Sequence, residues 1–286
     1  MHITFVILHY LAADVTSNCI DSLLSNCGHE DISLVVVDNC SPDGSGASLA
    51  GKYSSENRVH FILLERNEGF ARGNNAGYAY AVENLNPDFV VVMNNDVIIA
   101  DSNFVKGIAD EYSREPFAVL GPDIWAVAAG VHQNPIRLSP LNLHEVRVLR
   151  MKMAAKYRFF LYNYLSWNLK LMLGIAKRPG AGESDYARPH EGCVLHGSCL
   201  IFSRDFISER KYAFNPDTFL YTEEDILHLE CSRASLVIRY TPGLKVVHLE
   251  DASTKAAFSS SYRRDRNKYR CLVQSLDVLS KLLENG

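Results

Sequence analysis

Residues 33–46 read SLVVVDNCSPDGSG: an unbroken aliphatic run that ends in an aspartate and passes at once into a stretch dense in turn formers. A run without polar alternation is what a strand buried on both faces requires. Residues 3–8 (ITFVIL), 59–64 and 89–93 (FVVVM) read the same way. Between these runs, residues 14–26 place Val15, Cys19, Ile20, Leu23 and Leu24 on one helical face. Residues 46–53 suit a short helix, and residues 67–83 open with a glycine-rich turn and become helical around residues 76–82. Strands alternating with helices at this spacing through residue 100 predict an α/β fold, a mostly parallel central sheet flanked by helices. Ligands of such sheets bind outside the carboxyl ends of the strands. Those ends are His9-Tyr10, Asp38-Asn39, residues 65–69 and Asn94-Asn95-Asp96, and all four are polar.

The composition agrees with a soluble globular chain. Of 286 residues, 47% are apolar and 22% charged, with a net charge of −4. That balance argues against a nucleic-acid binder, which would carry a basic excess. Seven cysteines, with no pair at CxxC spacing, read as reduced structural thiols of a cytoplasmic protein. The opening MHITFVILHY has no basic segment and no small-residue cleavage site, so it reads as a strand, not a leader. Residues 159–176 come nearest to a membrane span, but Lys170 interrupts them.

Several chemistries are excluded by missing motifs. The first strand is followed by His9-Tyr10-Leu11, with no glycine-rich dinucleotide turn. No P-loop, GxSxG elbow or HExxH is present. What remains is a set of polar clusters. Asp96, at the end of a strand, suits a hard divalent cation completed by substrate phosphates. His248 follows a valine pair and gains meaning only if Asp96 lies opposite. Glu223, Glu224 and Asp225 begin a helix for which Thr222 is the expected N-cap, and the aromatic residues before them suggest a partly apolar pocket for a general base.

The second half has a different character. Residues 137–188 carry ten basic against three acidic residues, mixed with Leu, Met, Tyr, Phe and Trp. A strand is expected at 198–202 and another at 236–240, and a basic helix from Tyr262. Residues 144–178 suit either an amphipathic helical hairpin or a patch that touches an anionic membrane surface.

Taken in order, VILHY, VVVDNCSPDGS, RNEGFARGNNAG, VVVMNNDV, HGSCLIFSRD, FLYTEEDIL and VVHLEDAST resemble the motifs of the family 2 glycosyltransferases, in particular their bacterial rhamnosyltransferase-like branch. The likeness spans residues 3 to 256. It implies the GT-A fold, with a single catalytic domain over 1–256. Residues 1–100 would be its nucleotide-binding half. Residues 101–256 would be the acceptor-side half, with a helical insertion at about 140–185, and residues 257–286 a C-terminal helix.

The resemblance also implies roles. Asp38 would contact the nucleoside, and Asn67, Gly69 and Asn75 would shape the donor pocket. His9 and Tyr10 stand where that family has a Thr-Tyr-Asn motif, with Leu11 in place of the asparagine. Asp96 matches the last acid of a DxD motif. Asn94 replaces the first acid, and Asn95 lies between them at the donor site. His248 would complete a Mg²⁺ or Mn²⁺ site with Asp96, and Ser253 and Thr254 match a hydroxyl pair that often follows. The gapless frame puts Glu224 at the position of the base, with Asp225 one residue later. The implied activity is inverting transfer of a sugar, from dTDP-rhamnose or a UDP-hexose, to a glycan acceptor of O-antigen or capsule. A lipid-linked acceptor would bring the chain to the inner face of the membrane. A nucleotidyltransferase, or an inactive nucleotide- or carbohydrate-binding scaffold, are the alternatives.

Overall fold

The computed structural model describes residues 1–172, 185–250 and 261–285. In chain order its elements are β1 (Ile3–His9), α1 (Ala13–Asn26), β2 (Ile32–Asp38), α2 (Ser45–Lys52), β3 (Val59–Leu63), α3 (Gly69–Leu85), β4 (Phe89–Asn94), β5 (Val97–Ile98), α4 (Phe104–Arg114), β6 (Val119–Ala126) and β7 (Val131–His132). There follow α5 (Leu143–Arg158), α6 (Phe160–Met172), β8 (His190–Glu191), β9 (Cys199–Ser203), α7 (Arg204–Glu209), α8 (Glu223–Arg233), β10 (Ile238–His248) and α9 (Ser261–Glu284).

Among the described residues the strands form one sheet, with the order β3-β2-β1-β4-β9-β6-β10-β5; β7 pairs with β6, and β8 with β10. β3, β2, β1 and β4 run parallel, and so do β6 and β10. β9 runs antiparallel between β4 and β6. The carboxyl ends of β1, β2, β4, β6 and β10 therefore share one edge with the amino end of β9. The aliphatic runs explain the layers. Alternate residues of the same strand enter opposite cores: Phe5, Ile7, Leu34 and Val36 pack under α1, while Val6, Val35 and Val37 pack under α3.

Three local readings shift. Helix α3 begins at Gly69, well before the periodic segment that suggested it. Its glycines are poor helix formers, but Gly77 lies against Val6 and Val37, and Gly73 against Leu8, closer than a methyl group would allow. Burial against the sheet overrides propensity there. Next, β10 continues from the expected strand at 236–240 to His248, with a register shift between Thr241 and Lys245. Third, Thr222 does occupy the N-cap of α8, but its backbone is left-handed and its hydroxyl does not cap.

Within the segment expected to be an insertion, the chain forms α5 and α6. Val146 and the partly buried Leu149 and Met153 of α5 pack with Leu276 and Leu279 of α9, and Phe160 of α6 meets Tyr262 at 4.9 Å between ring centroids. The outer side of the pair exposes Met151, Phe159, Leu161, Tyr162 and Leu165, each more than half accessible. No helix among the described residues is long and apolar enough to cross a membrane. The seven cysteines are free thiols, and all but Cys40 are buried. Residues 173–178 of the basic stretch, and Ser253 and Thr254, lie outside the described residues.

Candidate active site

The polar strand ends converge on a cleft of about 470 Å³ at the shared sheet edge. Part of its wall comes from the strand ends: Tyr10 after β1, Asn39 after β2, Asn67, Gly69 and Phe70 at the start of α3, and Asn94, Asn95 and Asp96 at the end of β4. Phe219, Leu220 and Tyr221 close one side, His248 the far end, and Arg264, Asn267 and Arg270 of α9 form a further wall.

The topology brings Asp96 to His248. After β4 the chain turns through Asn95 and Asp96 into β5, which pairs antiparallel with the end of β10, so that Val97 faces His248. The Leu249 N–H then donates to the Asp96 carbonyl at 2.9 Å. Nε2 of His248 sits 3.2 Å from Asp96 Oδ1, with both side chains under one-tenth exposed. Despite that proximity Oδ1 has no hydrogen-bond partner among the described residues. A buried carboxylate oxygen left without a donor is costly. The other ring nitrogen of His248, Nδ1, lies 2.7 Å from Gln133 Oε1 and so carries the proton, which leaves Nε2 able to act as a ligand. The orphaned oxygen and the imidazole nitrogen therefore fit a divalent cation whose remaining ligands come from phosphate oxygens. No group of three or more metal-ligating side chains occurs among the described residues.

The remaining expected site residues divide into those that line the cleft and those that shape it. Tyr10, Asn67, Gly69, Asn94 and Asn95 line it. Asn67 Oδ1 accepts from the Gly69 N–H at 2.9 Å, and Gly69 takes a φ of 80°, a conformation that suits glycine. Asn39 clamps the same turn: its Oδ1 accepts from the Glu68 N–H and its amide donates to the Gly69 carbonyl. His9 is fully buried behind the wall, 2.7 Å from Thr16 Oγ1 and 2.9 Å from Ser45 Oγ. Burial lowers its pKa against the opposing pull of Asp38 and Asp43. Asp38 is buried and holds the turn after β2 by accepting from the Ser41 N–H at 3.1 Å and from the Ser41 hydroxyl. Asn75 is buried in α3, where its side chain pairs with both backbone groups of Phe214.

Glu224 and Asp225 stand at the start of α8, just after the cleft-lining Tyr221, and do not themselves line the cleft. Asp225 is ion-paired to Arg137. Glu224 Oε1 accepts from the Gly197 N–H at 3.2 Å, and a Cβ on residue 197 would stand 2.7 Å from that oxygen. Burial raises the Glu224 pKa, and Asp225 adds to the rise. Its neighbour Glu223 is raised to about 8, again by burial first and then by Glu224, and its Oε1 has no partner among the described residues. The turn that precedes these acids is strained, since Tyr221 and Thr222 both have φ above 70°. Strain of this kind is held where a site over-determines the backbone.

The residues 196–198 connect the two acid groups. The His196 ring lies 5.9 Å from that of His248, and its Nδ1 is 3.0 Å from Ser198 Oγ. Burial depresses His196 to about 4, with His248 adding to the fall and Asp96 opposing it. Gln133 and Arg137 carried no motif, and although His196 opens HGSCLIFSRD and the α9 wall lies in the expected basic helix, nothing in either marked those residues as neighbours of the cleft. Only the HGS stretch could have drawn attention to His196.

A family model described as Glycosyl transferase family 2 matches residues 4–209. The hexosyltransferase Agl10 of low-salt glycan biosynthesis in Haloferax volcanii is 22% identical over 251 residues, 88% of this chain and 69% of that protein. Rhamnosyltransferase WbbL of Escherichia coli is 22% identical over 250 residues, 82% of this chain and 85% of that one. Among solved structures, S. aureus TarS 1-349 in complex with UDP-GlcNAc has a TM-score of 0.55 at 15% identity, covering 96% of this chain and 65% of that one. GalNAc-T7 with UDP, GalNAc and Mn²⁺ has a TM-score of 0.60 at 13% identity, covering 100% of this chain and 54% of that one. The chain thus spans less than two thirds of either solved structure, and at these identities the likeness is one of fold.

Proposed function

Because the chain belongs to glycosyl transferase family 2 and has the GT-A fold, we propose that it transfers a hexosyl or rhamnosyl group, with inversion, from a nucleotide-diphospho-sugar to a glycan hydroxyl. The observation that carries this reading is the cleft itself, where Tyr10, Asn39 and Asn67 share one cavity with Asp96 and His248. In this reading the first three would contact the nucleoside, and the last two the end of its diphosphate. Asp38, His9 and Asn75 serve this cleft by fixing its walls.

Asp96 and His248 would hold Mg²⁺ or Mn²⁺. Such an ion, when bound, offsets the charge that builds on a departing diphosphate. Glu224 is the proposed base. Its side chain is partly buried and its pKa is raised, which makes it a stronger proton acceptor than an ordinary exposed acid. Asp225 is committed to Arg137. Glu224 would give up the Gly197 N–H to take the acceptor proton, while the acceptor oxygen attacks the anomeric carbon from the face opposite the diphosphate. The C–O bond to the diphosphate breaks, and its electron pair leaves with the phosphate oxygen.

The acceptor is proposed to be a lipid-linked glycan of a bacterial surface polysaccharide, O-antigen or capsule. The support is the exposed apolar face of α5 and α6, with Lys152, Lys156 and Arg158 beside Phe159, Leu161, Tyr162 and Leu165. Basic residues around interfacial aromatics favour an anionic bilayer surface. The chain would then work on the inner face of the cell membrane.

Two experiments test the reading. Thermal melting with UDP, dTDP and their sugars, with and without Mn²⁺, should single out one donor, which then supports turnover on a polyprenyl-linked glycan. An enzyme-dead scaffold, for which Asn94 in place of an acid speaks, would bind a nucleotide without turnover. Co-sedimentation with anionic liposomes should fall when Phe159, Tyr162 and Leu165 are changed to serine; unchanged binding would remove the membrane contact.

A further inference from the structure

Helix α9 does two jobs at once. One side packs on α5 through Leu276 and Leu279. Another turns Arg264, Asn267 and Arg270, spaced three residues apart, into the cleft that holds Asp96 and His248. Residues three apart lie on adjoining turns of one helix face, so the three form a continuous strip. Neither the family motifs nor the sequence reading assigns them a role.

The charges of the cleft are unbalanced. Its lining holds two guanidinium groups and one carboxylate, that of Asp96. Asn94 stands where a second acid would lower the positive charge further. Arg270 is oriented from within the strip, donating to Asn267 Oδ1 at 2.7 Å. Arg264 is half-buried, and its Nε lies 3.3 Å from Asp265 on its own helix. Ser275, one turn beyond Arg270, donates its hydroxyl to the Leu220 carbonyl at 3.0 Å, which ties α9 to the Phe219–Tyr221 wall. The helix that carries the strip is therefore held at the cleft by packing.

We infer that Arg264 and Arg270 are ligands of the donor's diphosphate, and that they supply positive charge there independently of any cation held at Asp96. Guanidinium groups suit this task, since they pair with phosphate oxygens in a fixed fork geometry and stay charged at any working pH. The electron pair released when the glycosidic bond breaks goes to the diphosphate, so the same two side chains stabilise the leaving group as its charge grows. Asn267 is a positioning residue, because it orients Arg270. The inference rests on the donor-site reading above, and it adds that part of the diphosphate affinity is independent of any divalent ion.

Equilibrium binding on the full chain tests it. The ligands are uridine, thymidine, UDP, dTDP and farnesyl diphosphate, each in EDTA and in Mn²⁺. In EDTA the wild type should bind one nucleoside diphosphate at least tenfold more tightly than its nucleoside. R264Q/R270Q should erase most of that ratio, about tenfold per guanidinium, and leave nucleoside affinity unchanged. R264K/R270K should restore part of it, which separates lost charge from lost folding, and the nucleoside affinity of each variant reports an intact cleft. Three results overturn the inference. One is a double variant that keeps the full ratio. Another is a loss confined to farnesyl diphosphate, which would assign the strip to the acceptor. The third is a wild type that binds nucleosides and their diphosphates equally in EDTA. Failure of the wild type to bind any nucleoside or nucleotide would instead bring down the donor-site reading itself, and this inference with it.

Discussion

Replacing Glu224 by glutamine separates catalysis from stability. Glutamine keeps the size of the side chain and an oxygen that can accept the Gly197 N–H at 3.2 Å. It removes a carboxyl whose pKa burial has raised. The sign of the stability change follows from linkage. A carboxyl with a raised folded pKa binds a proton in the folded chain that the unfolded chain has already lost, so it weakens the fold as pH rises above its ordinary value. E224Q should therefore melt no lower than wild type at pH 8, and the two should converge in acid. Transfer should fall by about 10²–10⁴, the usual worth of a positioned general base. D225N makes the opposite case. It strips Arg137 of its ion pair while Arg137 Nε is already buried without a partner among the described residues. A stranded guanidinium should cost about 1–3 kcal/mol, while turnover per folded molecule stays within tenfold. Initial rates with the identified donor, read beside thermal melts at pH 5 and pH 8, measure both. An E224Q that turns over normally, or a D225N that melts normally but is inert, would refute the assignment of the base.

Other outcomes follow from the same geometry. Glu223, raised to about 8 from an ordinary 4.5, should make stability fall as pH climbs between those values, by up to about 1.4 kcal/mol per pH unit; E223Q should flatten that slope in chemical denaturation series, and an unchanged slope would show that the carboxyl is ionised in the fold. Gly77→Ala gains about 0.5–1 kcal/mol of helix propensity but drives a methyl group into Val6 and Val37, a strain of about 1–3 kcal/mol; the melting temperature should drop, and a rise would mean that α3 can move off the sheet. D96N should abolish the Mn²⁺-dependent part of nucleoside diphosphate binding, measured by calorimetry, and leave the metal-free part intact. Equal Mn²⁺ dependence in D96N and wild type would place the ion elsewhere.

Much of the chain was legible in one dimension because the signal was local. The valine runs at 33–38 and 89–93 set β2 and β4 within a residue, since a strand covered on both faces must be aliphatic throughout. The segment from 97 to 132 was less legible. Helix α4 and strands β5, β6 and β7 were not read there: β5 and β7 are two residues each, and β6 carries Gly121, Pro122 and Asp123 within its run. Helix α3 started early because sheet packing, which the glycine-rich sequence does not display, holds Gly73 and Gly77 in place. At the site, strand-end polarity picked out Tyr10, Asn67, Asn95 and Asp96, all of which line the cleft. The same rule picked out His9 and Asp38, which a turn of the backbone places behind it.

The sequence by itself determined the layered α/β architecture and the edge of the sheet at which polar residues gather, because alternation and aliphatic runs are properties of neighbours along the chain. It also ordered the motifs that mark the family. Tertiary structure decided the rest. Asp96 and His248 stand 152 positions apart in sequence, and meet only because β5 pairs back on β10. Glu224 and Asp225 are adjacent and chemically alike; one accepts from the Gly197 N–H and the other is drawn to Arg137, and no spacing rule separates them. The carboxyl-terminal segment read only as a basic helix; its packing on α5 turns Arg264 and Arg270 toward the cleft. Burial and charge pairing depend on what lies across space, and that is settled when the chain closes on itself.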